Sequence, residues 1–241
     1  MNLIIDIGNT RAKLAVFKED RIVLQKKSKH KNILKKIKKI FSELSISNTI
    51  ISSVHQKEEK LLQFLKENSN LIVLNHQTKV PFLNHYKTPT TLGVDRIALV
   101  SAAIKEYPNQ NVLVIDAGTC VTYDFISNKK EYYGGIISPG IKMRYKAMHH
   151  FTKKLPDLKP TLYKGEGNST ENAMHLGVLK GIFYEIEGII SEFQAKNNNL
   201  TVVLTGGDKK ILSNLLKSSI FANPNFILLG LNYILNYNLN D

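Results

Sequence analysis

Apolar residues fall along this chain in short blocks whose period changes from about two to about 3.6 and back, the pattern of alternating strands and helices. The first block, Leu3-Ile4-Ile5, stops at Asp6 and Gly8, and a second at 12–17 carries β-branched and aromatic residues, so strand, tight turn, strand is expected. A third strand is expected at 21–25. From about 32 to 44, Ile33, Leu34, Ile37, Ile40, Phe41 and Leu44 share one helical stripe. A strand at 49–54, an amphipathic helix at 57–68 through Leu61, Leu62, Phe64 and Leu65, and a strand at 71–74 complete the order β-β-β-α-β-α-β.

The order then begins again. Strands are expected at 112–115, 120–126 and 131–138, followed by a helix opened by Pro139-Gly140, since proline suits a first helical turn. Ser169 or Thr170 caps a long helix over 171–196, with Ala173, Met174, Gly177, Val178, Gly181, Ile182 and Ile186 on an apolar face that could meet a sister helix or the chain's own core. A strand at 200–204, a helix at 209–217 and a closing helix at 226–237 end the chain. The irregular stretches are 75–91, with Pro81 and Pro89, and 155–167, with Pro156 and Pro160; loops of such length in a compact domain are often functional. The expected fold is α/β: duplicated ribonuclease-H-like domains, 1–110 and 111–241, each a mixed sheet with flanking helices.

The repeat carries chemistry with it. Asp6-Ile7-Gly8-Asn9-Thr10 follows the first strand, and Asp116-Ala117-Gly118-Thr119 follows the corresponding strand of the second half. Glycine lets backbone approach a ligand, and the Asn and Thr beside it add donors for phosphate oxygens. A plain hairpin turn uses the same residue types; the recurrence favours a nucleotide site. Asp6 itself would be repelled by a polyphosphate unless a cation or metal-bound water lay between them, so it reads as an organiser of metal-nucleotide.

Composition narrows the classes. With 241 residues and 43% hydrophobic content the chain can bury sizeable cores. No stretch is long and apolar enough to span a membrane, and the N-terminus meets Asp6 too early for a signal peptide, so a cytoplasmic protein is expected. The one cysteine, Cys120, excludes an intrachain disulfide and a cysteine zinc site and reads as a small buried residue. A net charge of +13 invites a nucleic-acid partner. However, Lys35, Lys36, Lys38 and Lys39 lie mostly off the apolar stripe of their helix, where a solvated face accounts for them, and no nucleic acid is expected. The adjacent His149 and His150 cannot face one metal from a helix.

Gly93-Val94-Asp95-Arg96 closes the first irregular stretch and enters an apolar helix. Asp95 could cap that helix; beside Arg96 it could also act as a base with an anion holder for a second substrate. Taken with Tyr86, Thr88-Pro89, Thr91-Leu92, Gly134-Gly135-Ile136-Ile137-Ser138-Pro139-Gly140, Gly167-Asn168-Ser169-Thr170 and Thr205-Gly206-Gly207-Asp208, the motifs in this order resemble the type III pantothenate kinase family over nearly the whole chain.

That resemblance implies an actin-like ATPase fold, the superfamily that also holds sugar kinases and the Hsp70 ATPase. It implies a homodimer and transfer of the γ-phosphoryl group of ATP to the primary hydroxyl of pantothenate, the first step of coenzyme A synthesis. By matching positions, Asp6, Ile7, Gly8, Asn9, Thr10, Arg11, Ala12 and Lys13 would hold ATP and its Mg²⁺, with Thr119 also on ATP. Asp116 would bind a monovalent cation, K⁺ or NH₄⁺. Tyr86, Gly93, Val94, Asp95, Arg96 and Thr170 would hold pantothenate, Asp95 acting as general base, and the paired glycines Gly206 and Gly207 would lie on the adenosine side. The competing readings are a non-catalytic regulator on the same fold, which would be expected to lose Asp6, Asp95 and Asp116, and a basic nucleic-acid-binding protein.

Overall fold

The first apolar block forms strand β1, Asn2–Ile7, buried along its whole length, with β2, Ala12–Lys18, beside it. Strand β3, Arg21–Ser28, mostly alternates exposed and half-buried residues, as an edge does. Helix α1, Ile33–Glu43, buries Ile33, Ile37 and Ile40 and turns most of its lysines outward. Then come β4 (Asn48–Ser53), α2 (Glu59–Asn68) and β5 (Asn70–Val73). This is a computed structural model, and it describes residues 1–9, 11–53, 59–216 and 221–239. Val54 and Lys57, expected to end a strand and to start a helix, lie outside those residues, as does Lys217 at the expected end of the 209–217 helix.

The stretch expected to be irregular at 75–91 contains a two-residue strand, β6 (Leu83–Asn84), and a 3₁₀ turn at Pro89–Thr91 before α3, Val94–Glu106. The second series is β7 (Val112–Ala117), β8 (Cys120–Ile126), β9 (Glu131–Pro139), α4 (Ile141–Phe151) and α5 (Thr170–Lys196). It ends with β10 (Thr201–Thr205), α6 (Lys209–Ser213) and a short β11 (Phe221–Ala222), before the closing helix α7, Phe226–Leu239. Pro139 is the last residue of β9 and not part of a first helical turn; Gly140 is the N-cap of α4. Cys120, expected to be buried, is half-buried at the start of β8.

The two series have one topology. Sheet order in the first is β3-β2-β1-β4-β5, and in the second β9-β8-β7-β10-β11, with the two-residue β6 added parallel to β9 at its edge. The central strand is antiparallel to its hairpin partner and parallel to the strand on its other side in both cases. Tight hairpins give antiparallel neighbours and helical crossovers give parallel ones, so the sequence order dictates mixed sheets. This is the duplicated ribonuclease-H-like α/β fold.

The chain divides into two compact units: Met1–Pro108 with Lys129–Tyr133 and Asn225–Asp241, and Asn109–Asn128 with Gly134–Pro224. The closing helix α7 therefore counts with the first unit, where it packs on α3, β1 and β4. The side-chain amide of Asn2 donates to Asn232 Oδ1 at 3.1 Å and to Asn236 Oδ1 at 2.8 Å, fixing α7 to β1. On the opposite face of that sheet Leu3, Ile5, Leu14 and Val16 meet Ile37 and Ile40 of α1 and Leu61 and Leu65 of α2. In the second unit Leu113, Ile115 and Tyr123 meet Ile182 and Ile186 of α5. Each such side chain contributes roughly 1.5–3 kcal/mol on burial.

Candidate active site

In the first unit, cross-strand pairing sets four polar residues in a row. Asp6 of β1 pairs with Lys13 of β2 on one side and Ser52 of β4 on the other, and Lys13 pairs with Lys27 of β3. Directly paired residues share a face of the sheet, and residues two apart on a strand share it too. Asn2 on that face contacts α7, so the row lies on the α3 and α7 side.

Asp6 is only 7% exposed, and Lys13 Nζ lies 3.8 Å from its Oδ2. Burial pushes the Asp6 carboxyl up to about 6; Lys13 opposes the rise, and the charge of Asp95 adds to it. Asp95 is thus close enough to Asp6 for their charges to act on each other. Such an acid favours a further cation beside it.

Asp95 is the second residue of α3, and Gly93 holds the N-cap, so the capping role considered for Asp95 is not the one it takes; its Oδ1 accepts from the Arg96 backbone N–H at 2.9 Å. Arg96 is buried, with its guanidinium carbon 5.6 Å from the centroid of the Tyr86 ring. Tyr86 stacks at 6.4 Å on Tyr132, which is fully buried. The 86–96 segment is pinned further by Thr91 Oγ1, which donates to Thr88 O at 2.9 Å. The first unit therefore brings Asp6, Lys13 and Asp95 together, and Tyr86 with Arg96. Gly8 is half-buried and its N–H donates to Arg11 O at 3.2 Å, closing the turn; Asn9 and Arg11 are exposed. Ile7 and Ala12 are buried strand ends and present only backbone to a ligand. Thr10 lies outside the described residues.

In the second unit Asp116 pairs with Thr122 of β8 and Thr205 of β10. Thr122 Oγ1 is buried and finds no hydrogen-bond partner among the described residues. Thr119 is exposed at the turn. The Asp208 N–H donates to Ala117 O at 2.9 Å, and burial raises the Asp208 carboxyl against the pull of Lys142. Gly206 has φ +96°, and a Cβ there would strike Ala117 O, so only glycine brings this loop onto the turn. Thr170 is the exposed first residue of α5, whose cap is Ser169, accepting from Asn172 N–H at 3.2 Å.

Reasoning from local sequence missed Ser52, Lys27 and Thr122. Nothing local marks them, because they reach the site rows only through strand pairing. Asp208 ends the Thr205-Gly206-Gly207-Asp208 motif, and its contact with Ala117 places it at the second turn. Among the described residues no three His, Cys, Asp or Glu side chains cluster as a metal site.

Two mixed sheets of one topology, each with an acid at the end of its central strand and a glycine turn after it, give the actin-like fold. The solved structure of a glucokinase from an Antarctic psychrotroph shares the fold at a TM-score of 0.53, 12% identity and 98% coverage of each chain. The (R)-2-hydroxyglutaryl-CoA dehydratase component A of Acidaminococcus fermentans shares it at 0.57 and 14%, over 98% of this chain and 97% of that one. A family model described as Type III pantothenate kinase matches residues 2–192. The chain belongs to the type III pantothenate kinase family. A relative of that name from Christiangramia forsetii is 45% identical over 240 residues, covering 99% of both chains, and one from Phocaeicola vulgatus is 46% identical over 244 residues, again covering 99% of both. A structure described as a Baf family transcriptional activator from Campylobacter jejuni is 25% identical with a TM-score of 0.66, over 99% of this chain and all of that one.

Proposed function

We propose that the two turns and the 86–96 segment carry out the family's reaction, ATP-dependent phosphorylation of the primary hydroxyl of pantothenate to 4'-phosphopantothenate, the first step of coenzyme A synthesis. The observation that supports this most is the placing of Asp95 near Asp6 and Lys13 in the first unit.

In this reading Asp95 accepts the proton of the substrate hydroxyl as its oxygen bonds to the γ-phosphorus; the bond from phosphorus to the β–γ bridging oxygen breaks, and ADP leaves. Lys13 neutralises charge on the phosphoryl oxygens during transfer. The family's pattern assigns Ile7, Gly8, Asn9, Thr10, Arg11 and Ala12 to the ATP phosphates, and Thr119 to ATP as well. Arg96 pairs with the pantothenate carboxylate, beside the Tyr86 ring, while Gly93, Val94 and Tyr86 shape the same site; the family's pattern assigns Thr170 to pantothenate as well.

The Asp6 carboxyl, raised by burial, suits a site for Mg²⁺ held with ATP, directly or through water. At Asp116, the unpartnered Thr122 Oγ1 on the same face offers a neutral oxygen next to the carboxylate, a donor set suited to K⁺ or NH₄⁺. Each cation, when bound, supplies positive charge to a crowded phosphate site.

A homodimer in the cytoplasm completes the reading. Met174, Val178, Ile182 and Ile186 of α5 enter the core of their own unit, whereas Ala173 and Gly177 stay exposed, as does Tyr184. Among the described residues no helix is long and apolar enough to cross a membrane. The regulator reading is less favoured because Asp6, Asp95 and Asp116 are all present. A nucleic-acid partner is less favoured because lysines of α1 have uses within the chain: Lys36 Nζ donates to Lys27 O at 2.5 Å, Lys39 pairs with Glu43 at 3.5 Å, and Lys38 lies 5.3 Å from the Phe64 ring centroid.

The test is ADP release from ATP, Mg²⁺ and K⁺ with and without pantothenate, with the phosphorylated product identified by mass. Release that ignores pantothenate would overturn the reading.

A further inference from the structure

The second turn is contacted by the corner where β9 gives way to α4. The Gly140 N–H donates to Thr119 O at 3.1 Å, and a Cβ at Gly140 would run into Gly118 O and Thr119 O, so corner and turn meet backbone to backbone. A side chain of α4 holds that corner. Arg144 Nε donates to Pro139 O at 2.9 Å and Arg144 Nη2 donates to Ser138 Oγ at 3.0 Å.

Arg144 is in turn fixed from α5 and β8. Its Nη2 also donates to Glu185 Oε2, and Glu185 Oε1 accepts from the hydroxyl of the fully buried Tyr123 at 2.8 Å. Burial pushes the Glu185 carboxyl up, but the hydrogen bonds from Arg144, Tyr123 and Ser138 outweigh it and hold the group below its ordinary value. Burial and the Glu185 bond push the Tyr123 hydroxyl up, so it remains a donor. A guanidinium presents several N–H groups in a fixed plane, and an ammonium cannot make these three contacts with the same geometry.

We infer that Arg144 is a positioning residue for nucleotide binding, with Glu185 and Tyr123 orienting it so that the Ser138-Pro139-Gly140 corner holds the Gly118-Thr119 turn in place. This rests on the reading of that turn as part of the ATP site. Arg144 touches no reacting atom in this role; it sets where the turn stands, and small displacements of positioned groups cost large factors in rate and affinity.

Mg-ATP binding by calorimetry, pantothenate KM and thermal midpoint test it together. Arg144→Lys keeps the charge and loses the fork, and it should weaken Mg-ATP binding about tenfold or more while pantothenate KM changes less than about twofold. Ser138→Ala, which leaves both charges in place, should weaken Mg-ATP binding by a smaller factor in the same direction. The double variant Arg144→Met with Glu185→Met removes the ion pair as a unit, a change often neutral for stability, so its thermal midpoint should return close to wild type. Its Mg-ATP affinity should stay weak, and hydrogen exchange at the Gly140 amide should be faster. Recovery of affinity along with stability would show a purely structural pair and overturn the inference, as would wild-type affinity in Arg144→Lys. Wild-type protein that binds Mg-ATP but shows no pantothenate-dependent turnover would refute the kinase reading and leave this one standing; wild-type protein that does not bind Mg-ATP would overturn this one.

Discussion

The turn after β1 and the turn after β7 share strand order and an Asp-x-Gly pattern, yet their acids stand in different electrostatic surroundings. Asp6 is buried and faces Lys13 across the hairpin, with Lys27 one strand further along. Asp116 is half-buried and faces Thr122 across its hairpin, where the first unit has lysine. One fold thus gives two different turns: one whose acid faces an ammonium group, and one whose acid faces a neutral hydroxyl. In the proposed reading the first neutralises a phosphoryl group during transfer and the second holds a monovalent cation.

The largest effect is expected from Asp95, which belongs to the first unit alone. Asp95→Asn should lower kcat about 10²- to 10⁴-fold with modest change in nucleotide affinity, read by steady-state kinetics. It should also lower the Asp6 pKa, by removing a charge that raises it, and carbon-detected NMR of the Asp6 carboxyl would report this. Near wild-type kcat would remove Asp95 from the chemistry.

Asp6 gives a stability signature of its own. Its folded-state pKa lies above the ordinary value, so the folded protein holds this proton more tightly than the unfolded chain does, and stability falls as pH rises from about 4 to about 6. The size is on the order of 2–3 kcal/mol. Asp6→Asn should flatten that fall and raise the thermal midpoint of the ligand-free protein at pH 7, while abolishing tight Mg-ATP binding. A variant with the wild-type pH profile of stability would show that Asp6 is not the group responsible.

Asp116→Asn should raise the K⁺ concentration for half-activation about tenfold or more, the scale of one lost charge-assisted contact. Equal rates in K⁺ and in a large organic cation at fixed Mg²⁺ would break the contrast between the two turns. The smallest change is expected from Tyr86→Phe and Thr170→Ala, which should each raise pantothenate KM several-fold, as one hydrogen bond would, with ATP KM nearly unchanged. An ATP-side effect would move these residues to the nucleotide.

The element order, apart from the two-residue strands β6 and β11, and both glycine turns were legible in the sequence because they depend on periods of two and 3.6 and on local turn chemistry. The burial of Ile33, Ile37 and Ile40 followed from their spacing on α1. Capping was less legible: Asp95 near a helix start suggested a cap, but Gly93 precedes it and takes the position, and Ser169 caps α5 one residue before Thr170. Several residues can serve as a cap, and which one does is settled by where the helix begins.

By itself, the sequence determined two series of strands and helices that open on the same three-strand pattern, an acid and a glycine after one strand of each, and the motif order that places the chain in its family. Only the tertiary structure decided what surrounds those acids. Strand pairing set Lys13 and Ser52 beside Asp6 and Thr122 beside Asp116; helix packing placed α7 with the first unit and brought Glu185 to Arg144 across 41 positions of chain. The reason is physical: local patterns fix dihedral angles and faces, whereas the charge, burial and pKa of a site residue depend on neighbours distant in sequence.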